Sequence, residues 1–233
     1  MIVRSDEPFD YIVSLTTYPA RISMPDVSLV IYSIIRQKTD FRFKLVLVLS
    51  KLEFPNAISD VPKPIQQFVN AGLVEIIWTA DNLRAYKKIQ GPQMKYPNIT
   101  VMTTDDDILL DESCVDTFIK MHLLNPECIL TEEGHPFTNP NEICTGTFRL
   151  YPPNSLLKVP DSFFVASFGG MEDDAYTAVL AFLKGTTTKI LNTGLAHIMY
   201  NNGFCNTAFA NTYLQINPET CRNKLLYILS KCK

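Results

Sequence analysis

Ile99-Thr100-Val101-Met102-Thr103-Thr104-Asp105-Asp106-Asp107-Ile108 is the stretch on which the reading of this chain turns. Residues 99–103 are apolar and rich in β-branched side chains, which predicts a buried strand. That strand runs straight into three adjacent carboxylates. Like charges crowded at a strand end either push their pKa values up or recruit a cation. Oxygen-only ligands select a hard ion, Mg2+ or Mn2+, which binds through one or two carboxylates plus substrate phosphates. The triplet therefore predicts a phosphorylated substrate. The plain alternative is a solvated turn, with Asp111 and Glu112 adding charge to the next helix. The position directly behind an apolar strand weighs against it.

Working outward, strand and helix signals alternate. Residues 10–15 (DYIVSL) form a short apolar run that ends in the turn-like Thr16-Thr17-Tyr18-Pro19. Pro25-Asp26 opens a helical pattern, with Val27, Val30, Ile31, Ile34 and Ile35 at spacings of three and four. Residues 44–50 (KLVLVLS) read as a buried, parallel-type strand. Residues 62–71 predict a helix that Pro62 starts and Gly72 stops. Residues 74–78 predict a strand, 85–96 a basic helix, and 113–124 a helix with Ser113 as its N-cap. This alternation predicts a three-layer α/β sandwich around a mostly parallel sheet. Such sheets bind ligands beyond the carboxyl ends of their strands, where both Thr16-Thr17-Tyr18 and Asp105-Asp106-Asp107 fall. The second half, punctuated by Pro136, Pro140 and Pro152-Pro153, is less regular, with a helix at 173–183 and a strand at 188–191. It is expected to shape the substrate side of one domain.

The 233 residues suit a single domain, large enough to fold without metal or disulfide staples. Hydrophobic residues make up 46% and charged residues 19%, with a net charge of −3, which places the chain in the globular class. That balance argues against nucleic acid as a partner, because counterion release needs a basic surface. The six cysteines, Cys114, Cys128, Cys144, Cys205, Cys221 and Cys232, show no C-x-x-C or zinc spacing. The first residues carry no apolar leader, and no apolar run reaches ~18 residues. These features predict free thiols in a cytoplasmic protein.

Neither a G-x-x-x-x-G-K-[ST] loop nor a G-x-G-x-x-G fingerprint is present, and glycine is scarce at 9 residues. A bound phosphate must then be held by metal and side chains. Arg21 and Lys87-Lys88 are the basic candidates, against the plain reading of the lysines as a solvated helix face. A second acidic cluster, Glu172-Asp173-Asp174, follows Gly169-Gly170 and opens a helix. Acids there fit a helix cap and the macrodipole. They also fit a general base that takes a proton from an incoming hydroxyl. His122 reads as a packed histidine, and His135, beside Glu132-Glu133, as a candidate for an acceptor cleft. Phe163, Phe164, Phe168 and Tyr176 read as core, with a sugar-stacking wall as the minority view.

Three stretches taken together, Ser14-Leu15-Thr16-Thr17-Tyr18-Pro19-Ala20-Arg21-Ile22, Tyr86-Lys87-Lys88 and Thr104-Asp105-Asp106-Asp107-Ile108, resemble bacterial glycosyltransferases of the GT-A fold that build polysaccharide and lipopolysaccharide. Tyr151-Pro152-Pro153-Asn154-Ser155-Leu156 and Glu172-Asp173-Asp174-Ala175-Tyr176 are similar too, so the likeness covers roughly residues 10–200. The resemblance implies a nucleotide-sugar-dependent enzyme in which the triplet is the D-x-D motif. Asp107 would ligate the metal, with Asp105 near the ribose or reaching the metal through water, and His197 as a further ligand. Thr16, Tyr18 and Arg21 match the loop that holds the nucleotide, and Lys87 and Lys88 the basic pair at the donor site, with Asp106 between the two outer acids. Asp173 and Asp174 match the motif that carries the catalytic base of inverting members. Tyr176 stands where that pattern often has Trp and Glu172 adds an acid, so both remain candidates, with Asp174 preferred.

The expectation is a single GT-A-type domain over residues 1–233. Residues 1–110 form its nucleotide-sugar-binding half and residues 111–233 its acceptor-binding half. With Mn2+ or Mg2+ it moves a sugar from a nucleoside-diphosphate donor, UDP ahead of GDP, to a hydroxyl of a glycan or lipid-linked acceptor, with inversion. Contact with the inner membrane face would bring it to a lipid-linked acceptor. Two alternatives stand beside this. A metal-dependent sugar nucleotidyltransferase should show a glycine-rich loop after the first strand, which the sequence lacks. A non-catalytic carbohydrate-binding descendant should have lost its acidic motifs, which are intact.

Overall fold

The computed structural model describes residues 1–4, 6–136, 140–199 and 217–231. Four apolar runs become the parallel heart of a sheet: β1 (Tyr11–Thr16), β2 (Phe43–Ser50), β3 (Glu75–Thr79) and β4 (Thr100–Thr104). Three later strands extend it: β6 (Ile129–Thr131), β9 (Phe148–Tyr151) and β10 (Thr188–Ile190). The seven-stranded order is β10-β6-β9-β4-β1-β2-β3. Only β9 runs against its neighbours, antiparallel to both β4 and β6. Two small antiparallel ladders lie outside the sheet. One pairs β5 (Ile108–Leu110) with β11 (Ala196–Ile198), the other β7 (Gly134–Pro136) with β8 (Ile143–Thr145).

Every residue of β1 and β2 is buried, as a sheet covered on both faces requires. Their side chains alternate between two cores. Val13, Leu15, Leu45, Leu47 and Leu49 join one core with Val27, Val30, Ile31 and Ile34 of α2 (Pro25–Ile35) and Val115, Phe118 and Ile119 of α5 (Cys114–Leu124). Ile12, Val46, Val48, Ile77 and Val101 form the opposite core. α4 (Lys87–Lys95) covers that face closely: a Cβ on Gly91 would lie 2.8 Å from Val48 Cγ1. Each fully buried Val, Leu or Ile contributes about 1.5–3 kcal/mol. A third core gathers Phe164 and Phe168 of α6 (Ser162–Phe168) with Tyr176, Val179 and Leu180 of α7 (Asp173–Lys184). α1 (Pro19–Ile22), α3 (Lys63–Asn70) and α8 (Pro218–Lys231) complete the described helices.

The expected α/β class and mostly parallel sheet are what the chain adopts, and the four leading strands fall within two residues of their expected bounds. Several local expectations change. Ser113 sits at the N-cap of α5 but its side chain makes no capping bond. The basic helix begins as a 3-10 turn at Arg84–Tyr86, and its two lysines are not solvated: Lys87 is 1% exposed and Lys88 2%. Asp173 and Asp174 are the first two residues of α7, behind Glu172 in a left-handed conformation at φ 57°, and no side chain caps this helix. Phe164, Phe168 and Tyr176 are core, with ring centroids 4.9–5.4 Å apart around Tyr176. Cys114, Cys128, Cys144 and Cys221 are free, whereas Cys205 and Cys232 lie outside the described residues.

Candidate active site

The site lies where β1 and β4 part company. These strands pair in parallel, but the connection from β1 leads toward β3 and β4 leads the other way. Ligands favour this crevice in open α/β sheets. β1 ends at Thr16 and β4 at Thr104, so the 16–21 turn and the acidic triplet emerge side by side. Thr17 Oγ1 donates to Asp106 Oδ2 at 2.5 Å. Arg21, on α1, spans two acids: Nη1 lies 3.2 Å from Asp106 Oδ1 and Nη2 3.1 Å from Asp107 Oδ2. Burial pushes the Asp106 carboxyl up to about 6, with Arg21 and Thr17 opposing and Asp107 and Asp105 adding.

An inner layer is set apart by its cations, which are buried, although its carboxylates Asp105 and Asp174 are 39% and 30% exposed. Lys88 Nζ pairs with Asp105 Oδ1 and lies 3.3 Å from Asp173 Oδ2, so one buried ammonium joins the two acidic motifs. Burial alone would lower the Lys88 pKa, but Asp105 and Asp173 win and hold it above the ordinary lysine range. Asp105 is kept below the usual carboxylate range in return, as Lys88 and Arg149 outweigh its burial. Asp174 Oδ1 pairs with Arg149 Nη2, and Arg149 is 1% exposed. Asp173 Oδ2 and Asp174 Oδ1 meet these cations as close ion pairs, without aligned hydrogen bonds. The Asp174 carboxyl is pushed up to about 7 by burial, against Arg149 and with Asp173 adding. The two acids at the start of α7 therefore spend their charge on Lys88 and Arg149 rather than on capping the helix.

The remaining expected residues separate. Thr16 Oγ1 donates to the Val48 carbonyl at 2.7 Å and belongs to the β1–β2 seam. Tyr18 stays beside the outer acids: burial raises its phenol pKa, and Arg21 opposes. Lys87 turns away to Glu53 Oε2 at 2.5 Å and Asn82 Oδ1 at 3.1 Å. His197 sits on β11 opposite Leu109 of β5, with Nε2 3.4 Å from Asp111 Oδ2. Strand alternation puts Asp107 and Asp111 on that same face of the ladder. His122 is packed in α5, its Nε2 3.4 Å from Thr100 Oγ1, and His135 is exposed on β7. Thr17 and Arg149 are the members that the sequence reading did not single out. Thr17 was within the quoted turn, whereas nothing local marks Arg149.

In the ion pairs that knit this cluster, five carboxylates (Asp105, Asp106, Asp107, Asp173 and Asp174) face three cations (Arg21, Lys88 and Arg149). Fully ionised, the cluster carries two surplus negative charges. Among the described residues no three His, Cys, Asp or Glu side chains group to hold a metal by themselves. Oxygen ligands with a deficit of positive charge suit a hard divalent ion that completes its shell with waters and ligand phosphates. Among the described residues no helix is long and apolar enough to cross a membrane.

The fold is that of solved glycosyltransferases. The mannosyltransferase PcManGT from Pyrobaculum calidifontis, in complex with GDP-Man and Mn2+, matches 95% of this chain and 69% of its own, with a TM-score of 0.58 at 13% identity. S. aureus TarS 1–349 matches 79% of this chain with a TM-score of 0.54 at 14% identity, and its complex with UDP gives 0.52 at 13%. The chain spans 58% of the length of these TarS chains. No known family profile matches the sequence, and no curated protein matches it.

Proposed function

We propose that this chain is a metal-dependent glycosyltransferase. It would move a sugar from a nucleoside-diphosphate sugar to a hydroxyl of a glycan or lipid-linked acceptor, with inversion. The observation that carries the reading is the surplus of carboxylates at the β1/β4 crevice, on a fold shared with enzymes whose solved complexes hold UDP, or GDP-Man with Mn2+. Asp107, Asp105 and His197 are the residues that would hold the ion, and Asp107 is 32% exposed at the rim. The bound ion would supply positive charge against the diphosphate as it leaves. Arg21 sits where it can trade its carboxylates for phosphate oxygens, as a planar guanidinium suits both. Thr17, Tyr18 and Asp106 complete the nucleotide side, and Lys88 fixes Asp105 from below.

Asp174 is the better placed of the two candidate bases. Its side chain keeps 30% exposure against 13% for Asp173, which is tied through Lys88 to the donor motif. A carboxyl near pKa 7 is matched to taking a proton at neutral pH. In this reading residues 1–110 bind the donor and residues 111–233 the acceptor, with the protein working in the cytoplasm or at the inner membrane face. The test offers UDP-sugars and GDP-sugars with Mn2+ and follows free nucleoside diphosphate. In parallel, UTP with a sugar phosphate is followed for pyrophosphate. Release of nucleoside diphosphate that EDTA abolishes is the expected result. Pyrophosphate instead would make the chain a nucleotidyltransferase, and binding without turnover a carbohydrate-binding protein.

A further inference from the structure

Arg149 enters the sheet as the second residue of β9, opposite Thr103 of β4 and Thr131 of β6. A guanidinium at 1% exposure is always charged and tolerable only when its donors are used. Nε and Nη2 donate to the Gly146 carbonyl at 3.0 and 2.7 Å, and Nη1 lies 3.4 Å from Tyr151 Oη. The fork is thus held by the loop leading into β9 and by Tyr151 before it meets Asp174. Nη2 then pairs with Asp174 Oδ1, an oxygen shielded from solvent, although the Asp174 side chain as a whole is 30% exposed. The exposure of this side chain therefore falls on its remaining atoms, Oδ2 and Cβ among them.

We propose that Arg149 is a positioning residue: it pins Asp174 Oδ1 from beneath and turns Oδ2 outward as the oxygen that receives the acceptor proton. The inference rests on the transferase reading with Asp174 as base. In that step the acceptor O–H proton passes to Oδ2 as the acceptor oxygen bonds the anomeric carbon. The bond from that carbon to the nucleoside diphosphate breaks, and its electron pair leaves with the diphosphate. Arg149 touches none of the reacting atoms. It acts by removing the alternative orientations of the base, and a misplacement of ~1 Å costs about 100-fold.

The experiment compares wild type, Arg149→Lys, Asp174→Asn and the double variant for kcat, acceptor KM, donor Kd and melting temperature. Arg149→Lys keeps the charge but loses the fork. It should lower kcat roughly 10–100-fold while donor Kd stays within about threefold. In the Asp174→Asn background the same change should lower kcat no further, because there is no base left to position. Losses that multiply in the double variant, or a wild-type kcat for Arg149→Lys, overturn the inference. Tyr151→Phe removes the hydroxyl beside the fork and serves if Arg149→Lys fails to fold. A kcat loss of about threefold to tenfold at unchanged donor Kd supports the inference, and an unchanged kcat overturns it. An inactive wild type sinks the transferase reading and this inference together, whereas an active wild type with additive variants sinks the inference alone.

Discussion

Asp106 and Asp107 share one guanidinium that is itself 22% exposed, whereas Asp173 and Asp174 lean on Lys88 and Arg149, which water does not reach. The two layers hold similar charge by different means. In the outer layer the cation sits on a four-residue turn at the rim, where the proposed divalent ion would compete with it. In the inner layer the cations come from a helix and a strand packed into the core, and removing either leaves its carboxylates without their cation. In the proposed function the outer layer would exchange its cation while the inner layer keeps its own.

Breaking the outer layer should have the largest effect. Asp107→Ala is expected to abolish metal-dependent nucleotide binding with little change in melting temperature. Calorimetry with UDP or GDP and Mn2+ decides this, and an affinity that ignores both the substitution and EDTA defeats the assignment. Asp174→Asn comes next. As general base its loss should lower turnover by about 10²–10⁴-fold with donor Kd within roughly threefold. Asp173→Asn is the companion: if it weakens donor binding instead, the division between the two acids stands. If both variants retain near-normal turnover, the base lies elsewhere.

Stability separates the layers further. Lys88→Met leaves Asp105 and Asp173 without their shared cation and should cost about 3 kcal/mol, the lower end for a broken buried pair because Asp105 is partly open. Urea denaturation measures it, and a cost under 1 kcal/mol would show that the inner layer does not depend on Lys88. Gly91→Ala pushes a methyl against Val48 on the helix that carries Lys88. An overpacking cost of about 1–3 kcal/mol is expected, with the metal binding proposed at Asp107 unaffected. The last test is a pH slope. Asp174, pushed up to about 7, and Asp106, pushed up to about 6, hold protons that the unfolded chain releases near pH 4. Their folded pKa values are raised, so stability is greatest at low pH within this window and is lost as pH rises from 4 to 7. Without metal the melting temperature should fall from pH 5 to pH 8, most steeply between pH 5 and pH 7. Asp174→Asn should flatten that fall; a slope of the opposite sign refutes the raised pKa values.

How much of this was legible beforehand follows from where the information resides. β1, β2 and β4 announce themselves because a strand buried on both faces must be apolar throughout, and the edge strand β3 shows only as a short apolar run. The acidic triplet and Asp173-Asp174 were visible as charge at element ends. The roles of Lys87 and Lys88 were not, because adjacent helical residues point about 100° apart and only packing decides which one enters the core beside the acids. Thr16, the last residue of β1, and Thr17, the first beyond it, divide likewise, one toward the Val48 carbonyl and the other toward Asp106. Strands of three residues such as β5, β6 and β11 are too short to carry a periodic signal. Arg149, one charged residue in the run Phe148-Arg149-Leu150-Tyr151, reads as an outward-facing position until its Asp174 partner appears.

The reversed course of β9 changes which stretches of chain can be varied to retune the site. In a purely parallel sheet only segments leaving the strands reach the crevice. Because β9 runs antiparallel to β4, its first residues arrive at the edge where β4 ends: Phe148 stands opposite Thr104 and Arg149 opposite Thr103. The approach to β9, including Gly146 and Thr147, thus abuts the same crevice as the exits from β1 and β4. If the proposed transferase reading holds, a library aimed at new acceptors would diversify residues upstream of β9 while sparing Arg149, and so draw variation from three directions around Asp174.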